Sequence, residues 1–243
     1  INVSANSILI KSGQINDGLG NSFIGDILIV DEKIVEVGKF LNSSSAKIIE
    51  AKGKPVTPGL ISPISNIGVV EINALDVTND DSPDFFGPGF SVFNAFNPHS
   101  TLIPWNRSNG VTSSISTPGY SSQIFKGMGS FYLLDGDIDI IGNADVAMYA
   151  RLGAIGGSRA ETIQIMESMF ELALNKDELE SEELLGTTFA SSMDMQLQDI
   201  QALSRVVNRE IPLVLEVNRA IDILQALRLK NDYDLELVLM SVE

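Results

Sequence analysis

The end of the chain constrains the fold most strongly. Residues 211–217 form an uninterrupted apolar run, a helical pattern follows over 220–230, and residues 235–240 form a second apolar run. A strand, a helix and a strand within such a short span favour parallel pairing through a right-handed crossover. Strands that are apolar on both faces are typical of a parallel sheet covered by helices. The sequence therefore predicts an α/β fold.

The first fifty residues show a different pattern. Short segments in which β-branched and polar residues alternate are separated by turn residues such as Asp31-Glu32-Lys33. Period-two alternation with this punctuation predicts strands of a small sheet. The predicted strands are 8–11, 25–30, 33–37 and 47–51.

The middle of the chain alternates between irregular and helical patterns. Residues 71–104 are rich in Asn, Asp, Pro, Gly and Phe, which predicts a long loop. Ser158 and Glu161 have the spacing of a capping box, so a helix should begin there and extend to about Asn175. The other assignments are a strand over 110–116, a strand and turn over 131–136, a solvated acidic segment over 176–186, a helix over 193–208, and either a strand or a helix over 145–152.

Composition excludes several classes of protein. The formal net charge is −16, and the sequence contains no block of Lys or Arg of the kind that binds nucleic acid or an anionic membrane surface. No run approaches the roughly 18 apolar residues of a membrane span. The chain has no cysteine, so disulfides and thiolate metal sites are excluded. We expect a soluble protein, and the absence of an initiator Met is compatible with removal of a leader after export to the periplasm.

A Pro-Gly turn at Pro58-Gly59 joins the two patterns and leads into an apolar strand that ends near Asn66. This junction, the segment 97–104 and the Gly110-Val111-Thr112 strand start resemble the amidohydrolase superfamily, including its imidazolonepropionase-like members. The resemblance implies a small β-sandwich portion over residues 1–57, followed by a partial TIM-type (βα) barrel over 58–243.

The same resemblance indicates where metal ligands would lie. It implies an Asp-x-His-x-His motif after the turn, a His-x-His-Arg-Ala motif at the end of the 211–217 strand, and another histidine on the last strand. Catalytic groups of such barrels lie at the carboxyl ends of the strands. The corresponding positions are Ser62, Ile64, Asn66, Glu216, Asn218 and Ser241.

These substitutions remove most of the metal-binding capacity. Ile64 has no donor atom, Asn66 offers a neutral oxygen, and Glu216 alone is one ligand where a protein site needs about three. The prediction is therefore no metal and no catalytic residue among them. The alternative is a divalent metal such as zinc, held together with residues outside this chain.

Two arginines near predicted strand ends, Arg107 and Arg219, could each bind a ligand carboxylate or form an internal ion pair. With the strand-end residues above they make up the predicted pocket. Its members are Asn66, Arg107, Glu216, Asn218, Arg219 and Ser241.

Other motifs have weaker functional interpretations. His99 could act as a base beside Ser100 or Ser65, although a histidine in such a loop is more typically solvated. The glycine-rich segment 153–158 could bind an anion, but it lacks the P-loop lysine and is better interpreted as a turn. Two aspartate sets could bind calcium but are predicted to be solvated turns: Asp80, Asp81 and Asp84, and Asp135, Asp137 and Asp139.

Three functions are consistent with these features. The first is an amidohydrolase-like pseudoenzyme that acts as a binding or structural partner, with a small-molecule ligand possible. The second is a metal-dependent hydrolase acting on a C–N bond of a cyclic amide, and metal-free catalysis by Glu216 or His99 is a third possibility. A complete barrel takes about 250 residues. We therefore expect an oligomer, or a second polypeptide or missing C-terminal part that closes the barrel.

Overall fold

The computed structural model describes residues 7–72, 74–153, 158–176 and 181–241. Its contacts divide the chain into two compact units, Ile1–Gly59 and Leu60–Glu243, which are described separately. In these described ranges, no helix combines the length and apolar character needed to cross a bilayer.

The first unit contains a five-stranded sheet in which β3, β2, β1 and β4 are neighbours in that order and β5 also pairs with β1. Strands β1 to β3 are antiparallel, whereas β4 and β5 run parallel to β1. That this sheet is part of a sandwich remains a prediction. The strands are β1 (Ser7–Asn16), β2 (Ser22–Val30), β3 (Lys33–Gly38), β4 (Lys47–Glu50) and β5 (Pro55–Val56).

Asp26 is a buried carboxylate in this first sheet. It accepts hydrogen bonds from the amides of Ser12 at 2.8 Å and Leu41 at 2.9 Å. Because buried charges require partners, these two amides account for a polar group in an otherwise apolar core. The apolar part of that core is formed by Leu9, Ile15, Ile27 and Ala51.

The second unit contains a six-stranded sheet whose strands lie in chain order from one edge to the other. The strands are β6 (Leu60–Ser65), β7 (Val111–Ser116), β8 (Phe125–Leu133), β9 (Gly142–Arg151), β10 (Leu213–Glu216) and β11 (Leu237–Met240). The helices are α1 (Leu102–Ser108), α2 (Arg159–Leu174), α3 (Ser181–Gly186), α4 (Thr188–Ser192), α5 (Leu197–Val207) and α6 (Ala220–Asp232).

The outer face of this sheet packs against helices. Met148 and Leu213 from the sheet, Met166 from α2 and Leu203 from α5 are all buried in one cluster. The inner face carries a smaller apolar cluster of Ala147, Tyr149 and Val214, with Ile115 and Met240 against it. Alternate residues of β9 and β10 therefore point to opposite faces, as the period of a strand requires.

The sheet curls so that its two halves approach across the inner face. The hydroxyl of Tyr149 on β9 donates to the carbonyl oxygen of Pro63 on β6 at 3.3 Å. A Cβ atom on Gly129 of β8 would lie 2.6 Å from the Tyr149 ring, so only glycine leaves room for this side chain. This curled sheet, with helices on its outer face, confirms the prediction of a partial TIM-type barrel.

One strand departs from the expected parallel arrangement. Strand β8 is antiparallel to both β7 and β9, whereas the β6–β7, β9–β10 and β10–β11 pairs are parallel. The connections at 117–124 and 134–141 are shorter than the dozen or more residues that a parallel crossover requires. The expectation of parallel strands throughout was therefore wrong for β8.

Most predicted helices and strands are present, with changes at their ends. Ser158 accepts a hydrogen bond from the Glu161 amide at 3.1 Å, so the serine half of the predicted capping box and the start of α2 are confirmed. Residues 145–152, left open from sequence, lie almost entirely in β9. The predicted helix 193–208 begins later, at Leu197, because Asp194 adopts a positive φ of 51° between α4 and α5.

The predicted loop over 71–104 was partly wrong. It contains 3₁₀ turns at Asp76–Thr78 and Phe93–Ala95, and its last residues already belong to α1. The acidic segment 176–186 includes helix α3, while residues 177–180 lie outside the described part of the chain. The glycine-rich candidate at 154–157 also lies outside it.

Candidate functional site

The candidate site lies at the edge of the six-stranded sheet where the parallel strands end. Strands β9 and β10 reach this edge with Arg151 and Glu216, which are aligned in register. Because β8 runs the other way, it contributes its first residues, including Lys126, to the same edge. The reversed strand thus adds a cation to the edge at which the sequence predicts the pocket.

Lys126 and Glu216 form an ion pair. The Nζ atom of Lys126 lies 3.0 Å from Oε2 of Glu216, and their side chains are only 16% and 22% exposed. Glu216 follows the inner-face residue Val214 by two positions, so its side chain points to the inner face of the sheet. The carboxylate at a predicted metal-ligand position is therefore bound to an ammonium group.

Arg151 is the second cation at this edge. It follows the inner-face residue Tyr149 by two positions and stands beside Glu216 in the strand register. Its Nε atom is buried and has no hydrogen-bond partner among the described residues. Two cations and one carboxylate leave a formal local charge of +1 in a chain whose net charge is −16.

Hydroxyl groups join the ends of β6 and β7 at the same edge. The Oγ atoms of Ser65 and Ser114 lie 2.5 Å apart, and Ser116 donates to the carbonyl of Ile67 at 2.6 Å. Thr117 donates to the carbonyl of Ser65 at 3.2 Å. These hydroxyls hold the two strand ends together, and within the described ranges no imidazole is hydrogen-bonded to Ser65 that would make it a nucleophile.

The structure places the remaining predicted pocket residues as follows. Asn66 is exposed, and its carbonyl accepts the amides of Val69 and Val70 in a turn. Three exposed residues follow the last two strands: Asn218 and Arg219 lie between β10 and α6, and Ser241 follows β11.

Arg107 lies apart from this group. Its Nη1 atom donates to the carbonyl of Leu134 at 3.1 Å and also to the carbonyl of Asp135. Leu134 pairs with Thr112 near the start of β7, which is the opposite edge of the sheet. The structure therefore does not bring Arg107 together with Glu216, and it shows backbone contacts where the sequence suggested a ligand or an ion pair.

The donors at this edge do not fit a divalent metal. Over the described ranges, no three His, Cys, Asp or Glu residues are grouped closely enough to bind one. Glu216 is already paired with Lys126, and Arg151 adds a second positive charge in the register beside it. Because like charges repel, a divalent cation would be disfavoured here even if Glu216 were released.

His99 and the aspartate sets do not form a second site. His99 is exposed, and the neighbouring Ser100 hydroxyl donates to Glu71 at 2.9 Å instead of to the imidazole. Asp135 accepts the backbone amide of Asp137 at 3.0 Å, as in an ordinary turn. Asp81 accepts the hydroxyl of Ser82 at 2.9 Å.

Lys126 and Arg151 were not predicted from the sequence. The alternation Ala147, Tyr149, Arg151 was visible there and could have placed Arg151 on the inner face of a strand. Lys126 was hidden because Gly127 and Gly129 interrupt the apolar pattern of β8. Its partner could not be found from sequence, since the pair joins residues 90 positions apart.

The curled sheet with helices on its outer face defines a barrel-type fold. Comparison with solved structures shows which barrel it is similar to. An amidohydrolase structure from Thermotoga maritima MSB8 superposes with a TM-score of 0.76 at 23% identity, covering 96% of this chain and 63% of that chain. This likeness establishes the fold.

Sequence similarity to curated proteins is confined to short segments. A 5-methylthioadenosine/S-adenosylhomocysteine deaminase of Thermococcus onnurineus is 47% identical over 57 residues, and a dihydroorotase of Lactococcus lactis is 43% identical over 56 residues. These matches cover 23% of this chain and 13% of each relative. No protein-family model matches the chain.

The fold likeness and the matching segments both support the resemblance to the amidohydrolase superfamily seen in the sequence. The aligned part amounts to less than two thirds of the length of each of these proteins.

Proposed function

We propose that this chain is a non-catalytic member of its superfamily that acts as a binding or structural partner. The observation that carries the proposal is the ion pair of Lys126 with Glu216 at a position where the family resemblance implies a metal ligand. The ammonium group of Lys126, 3.0 Å from the carboxylate, occupies the position of a metal ion and neutralises the charge that would bind it.

The chemistry of C–N bond hydrolysis supports the same conclusion. A bound metal in such sites polarises the carbonyl and lowers the pKa of the attacking water towards about 7. Lys126 and Arg151 cannot activate water in this way while they remain cationic. The edge is instead suited to holding a negatively charged group.

A second polypeptide is the proposed structural partner. Strands β6 and β11 are the outer strands of the described sheet, and Leu60, Ile61 and Val238 on them are 57%, 61% and 49% exposed. Exposed apolar strand edges favour pairing with another strand. We expect sedimentation of the purified chain to give a mass above the 26.2 kDa of one copy. A 26.2 kDa species at micromolar concentration would argue against self-association.

Metal analysis tests the proposed function directly. The purified chain is incubated with zinc or manganese, desalted, and measured by mass spectrometry for metal per chain. We expect well below one equivalent, with no change in Glu216→Gln. One equivalent that Glu216→Gln removes would overturn the proposal.

The alternative function is hydrolysis of a cyclic amide with a site completed by residues outside this chain. It is favoured by the overall likeness to the Thermotoga amidohydrolase. Hydantoin and dihydrouracil, incubated with the metal-loaded sample, are suitable probes. We expect no hydrolysis above a protein-free blank, whereas turnover abolished by chelation would establish the alternative.

A further inference from the structure

We infer that the edge formed by Arg151, Lys126 and Glu216 binds a monocarboxylate with an apolar body. The inference rests on the proposed function, because it requires that this edge binds a ligand and holds no metal. It adds the chemical class of that ligand and two residues, Arg151 and Lys126, that would hold it.

The first step concerns the free guanidinium group. Arg151 is partly buried, and its Nε atom is shielded from solvent without a hydrogen bond to any described residue. A buried donor without an acceptor is costly, and arginine in particular pairs with planar carboxylates through two parallel hydrogen bonds. The unsatisfied Nε–H therefore favours a planar, anionic acceptor.

The second step concerns the local charge. Glu216 neutralises Lys126 at 3.0 Å, while no carboxylate lies within ion-pair distance of Arg151 among the described residues. The inner-face neighbours of Arg151 and Glu216 along the strands are uncharged. One negative charge therefore brings the edge to neutrality, whereas a dianion would leave it negatively charged.

The third step concerns the surface next to the cations. Tyr149, two positions before Arg151, and Val214, two before Glu216, are buried in the inner-face apolar cluster. Ile115 and Met240 pack against that cluster and are themselves only partly buried. A ligand whose carboxylate contacts Arg151 could place an apolar body against the partly exposed side chains of Ile115 and Met240. This arrangement, with few polar groups beside apolar walls, is typical of small-molecule sites.

Benzoate is a suitable probe, and benzamide is its neutral control of the same shape. The Nε–H resonances of arginine are followed by ¹H–¹⁵N NMR in the full chain at constant ionic strength, and Arg151 is assigned by its loss in Arg151→Gln. We expect benzoate to shift the Arg151 resonance saturably. Benzamide and added chloride should not shift it.

Variants assign the binding to these residues. Arg151→Gln should weaken benzoate binding at least tenfold, Arg151→Lys should weaken it less, and Lys126→Gln should weaken it severalfold. Arg209→Gln is the control. Arg209 precedes the start of β10, whereas the proposed site lies at its end, and its Nη1 atom is 3.0 Å from the Asp234 carboxylate. Its benzoate affinity should match that of the unmodified chain.

An equal response to benzamide, or unchanged benzoate affinity in Arg151→Gln, would overturn the inference. If Arg151→Gln fails to fold, the comparison of benzoate with benzamide on the unmodified chain still decides. Metal content is measured on the same sample. If the chain contains no metal and benzoate does not shift the Arg151 resonance, only this inference is refuted. If the chain contains one equivalent of metal, the proposed function is refuted as well.

Discussion

The ammonium of Lys126 on β8 lies 3.0 Å from the carboxylate of Glu216 on β10, although strand β9 runs between those two strands. The pair therefore bridges over the end of β9, on the inner face of a curled sheet. It links β8 to β10 at the end of the sheet where barrels of this class carry their catalytic residues.

Breaking this pair should destabilise the second unit. Glu216→Gln leaves a partly buried ammonium without its counter-charge, and the side chains are only 16% and 22% exposed, so we expect a loss of about 1–3 kcal/mol. The double variant Lys126→Met/Glu216→Gln should lose less stability than the sum of the losses in Lys126→Met and Glu216→Gln. Urea unfolding followed by the fluorescence of Trp105, the only tryptophan and part of this unit, measures the effect.

The exposed pair of Arg209 with Asp234 is the control for that experiment. Its side chains are 50% and 82% exposed, so Arg209→Met should change stability by less than about 1 kcal/mol. If the stability losses of the Lys126 and Glu216 single variants added up to the loss of the double variant, the two side chains would not be coupled.

Asp199 should be sensitive to loss of its charge. Its buried carboxylate accepts the amide of Gly89 at 2.7 Å and the amide of Gln196 at 2.8 Å, so it fixes the start of α5 to a distant loop. Asp199→Asn would turn an NH₂ group towards one of these N–H donors. We expect a loss of about 2–3 kcal/mol, measured as above.

Asp194→Asn is the matched control for Asp199. Asp194 is exposed and has a positive φ of 51°, a conformation that asparagine tolerates well. Its stability should remain within about 0.5 kcal/mol of the unmodified chain. Equal losses in the two variants would contradict the role given to the Asp199 hydrogen bonds.

Gly68 should not tolerate a side chain. It has a φ of +80°, and an added Cβ would lie 2.4 Å from a ring carbon of Phe96, which itself stacks on Tyr132 at 3.8 Å between centroids. Gly68→Ala combines an unfavourable backbone conformation with a steric clash, so we expect a loss of about 2–4 kcal/mol.

Gly110 separates the two costs at Gly68. Its φ is +91°, but no atom of the described residues lies within 4 Å of an added Cβ. Gly110→Ala should therefore lose only the backbone part, about 1–2 kcal/mol. If both alanine variants unfolded at the same urea concentration, the contact with Phe96 would have no measurable cost.

Local patterns in the sequence predicted much of the fold. The capping pair Ser158 and Glu161 marked the start of α2, because a helix start depends on neighbours in the chain. The reversed direction of β8 was missed, since it depends on which strands pair. Gly127 and Gly129 leave room for Phe90 and Tyr149, which are distant in the chain, so no local sequence pattern indicates these contacts.

The candidate site was predictable only in part. Strand ends follow from apolar runs, so Glu216 was placed correctly at the end of β10. Its partner Lys126, and the absence of Arg107 from that edge, depend on how β8 is turned and paired. Side-chain partners across a sheet are set by tertiary packing, which a single sequence does not specify.

The stability of the second unit should fall at high pH through Tyr149. Burial raises the pKa of its phenol from 10.0 to about 12. Between pH 10 and 12 the unfolded chain loses this proton while the folded chain keeps it, so the stabilisation present below pH 10 is lost as the pH rises towards 12. At about pH 11 the loss from this group is about 1.4 kcal/mol.

Tyr149→Phe tests this relationship. The variant loses the hydrogen bond to Pro63, so we expect it to be about 1 kcal/mol less stable at about pH 8. Its stability should then fall less steeply between about pH 8 and 11, so that the two chains converge. Tyr120→Phe, which removes an exposed hydroxyl, is the control and should show the pH dependence of the unmodified chain. Parallel curves for Tyr149→Phe and the unmodified chain would mean that this phenol ionises alike in the folded and unfolded states. The hydrogen bond from Tyr149 on β9 to Pro63 on β6 would then be exposed to solvent.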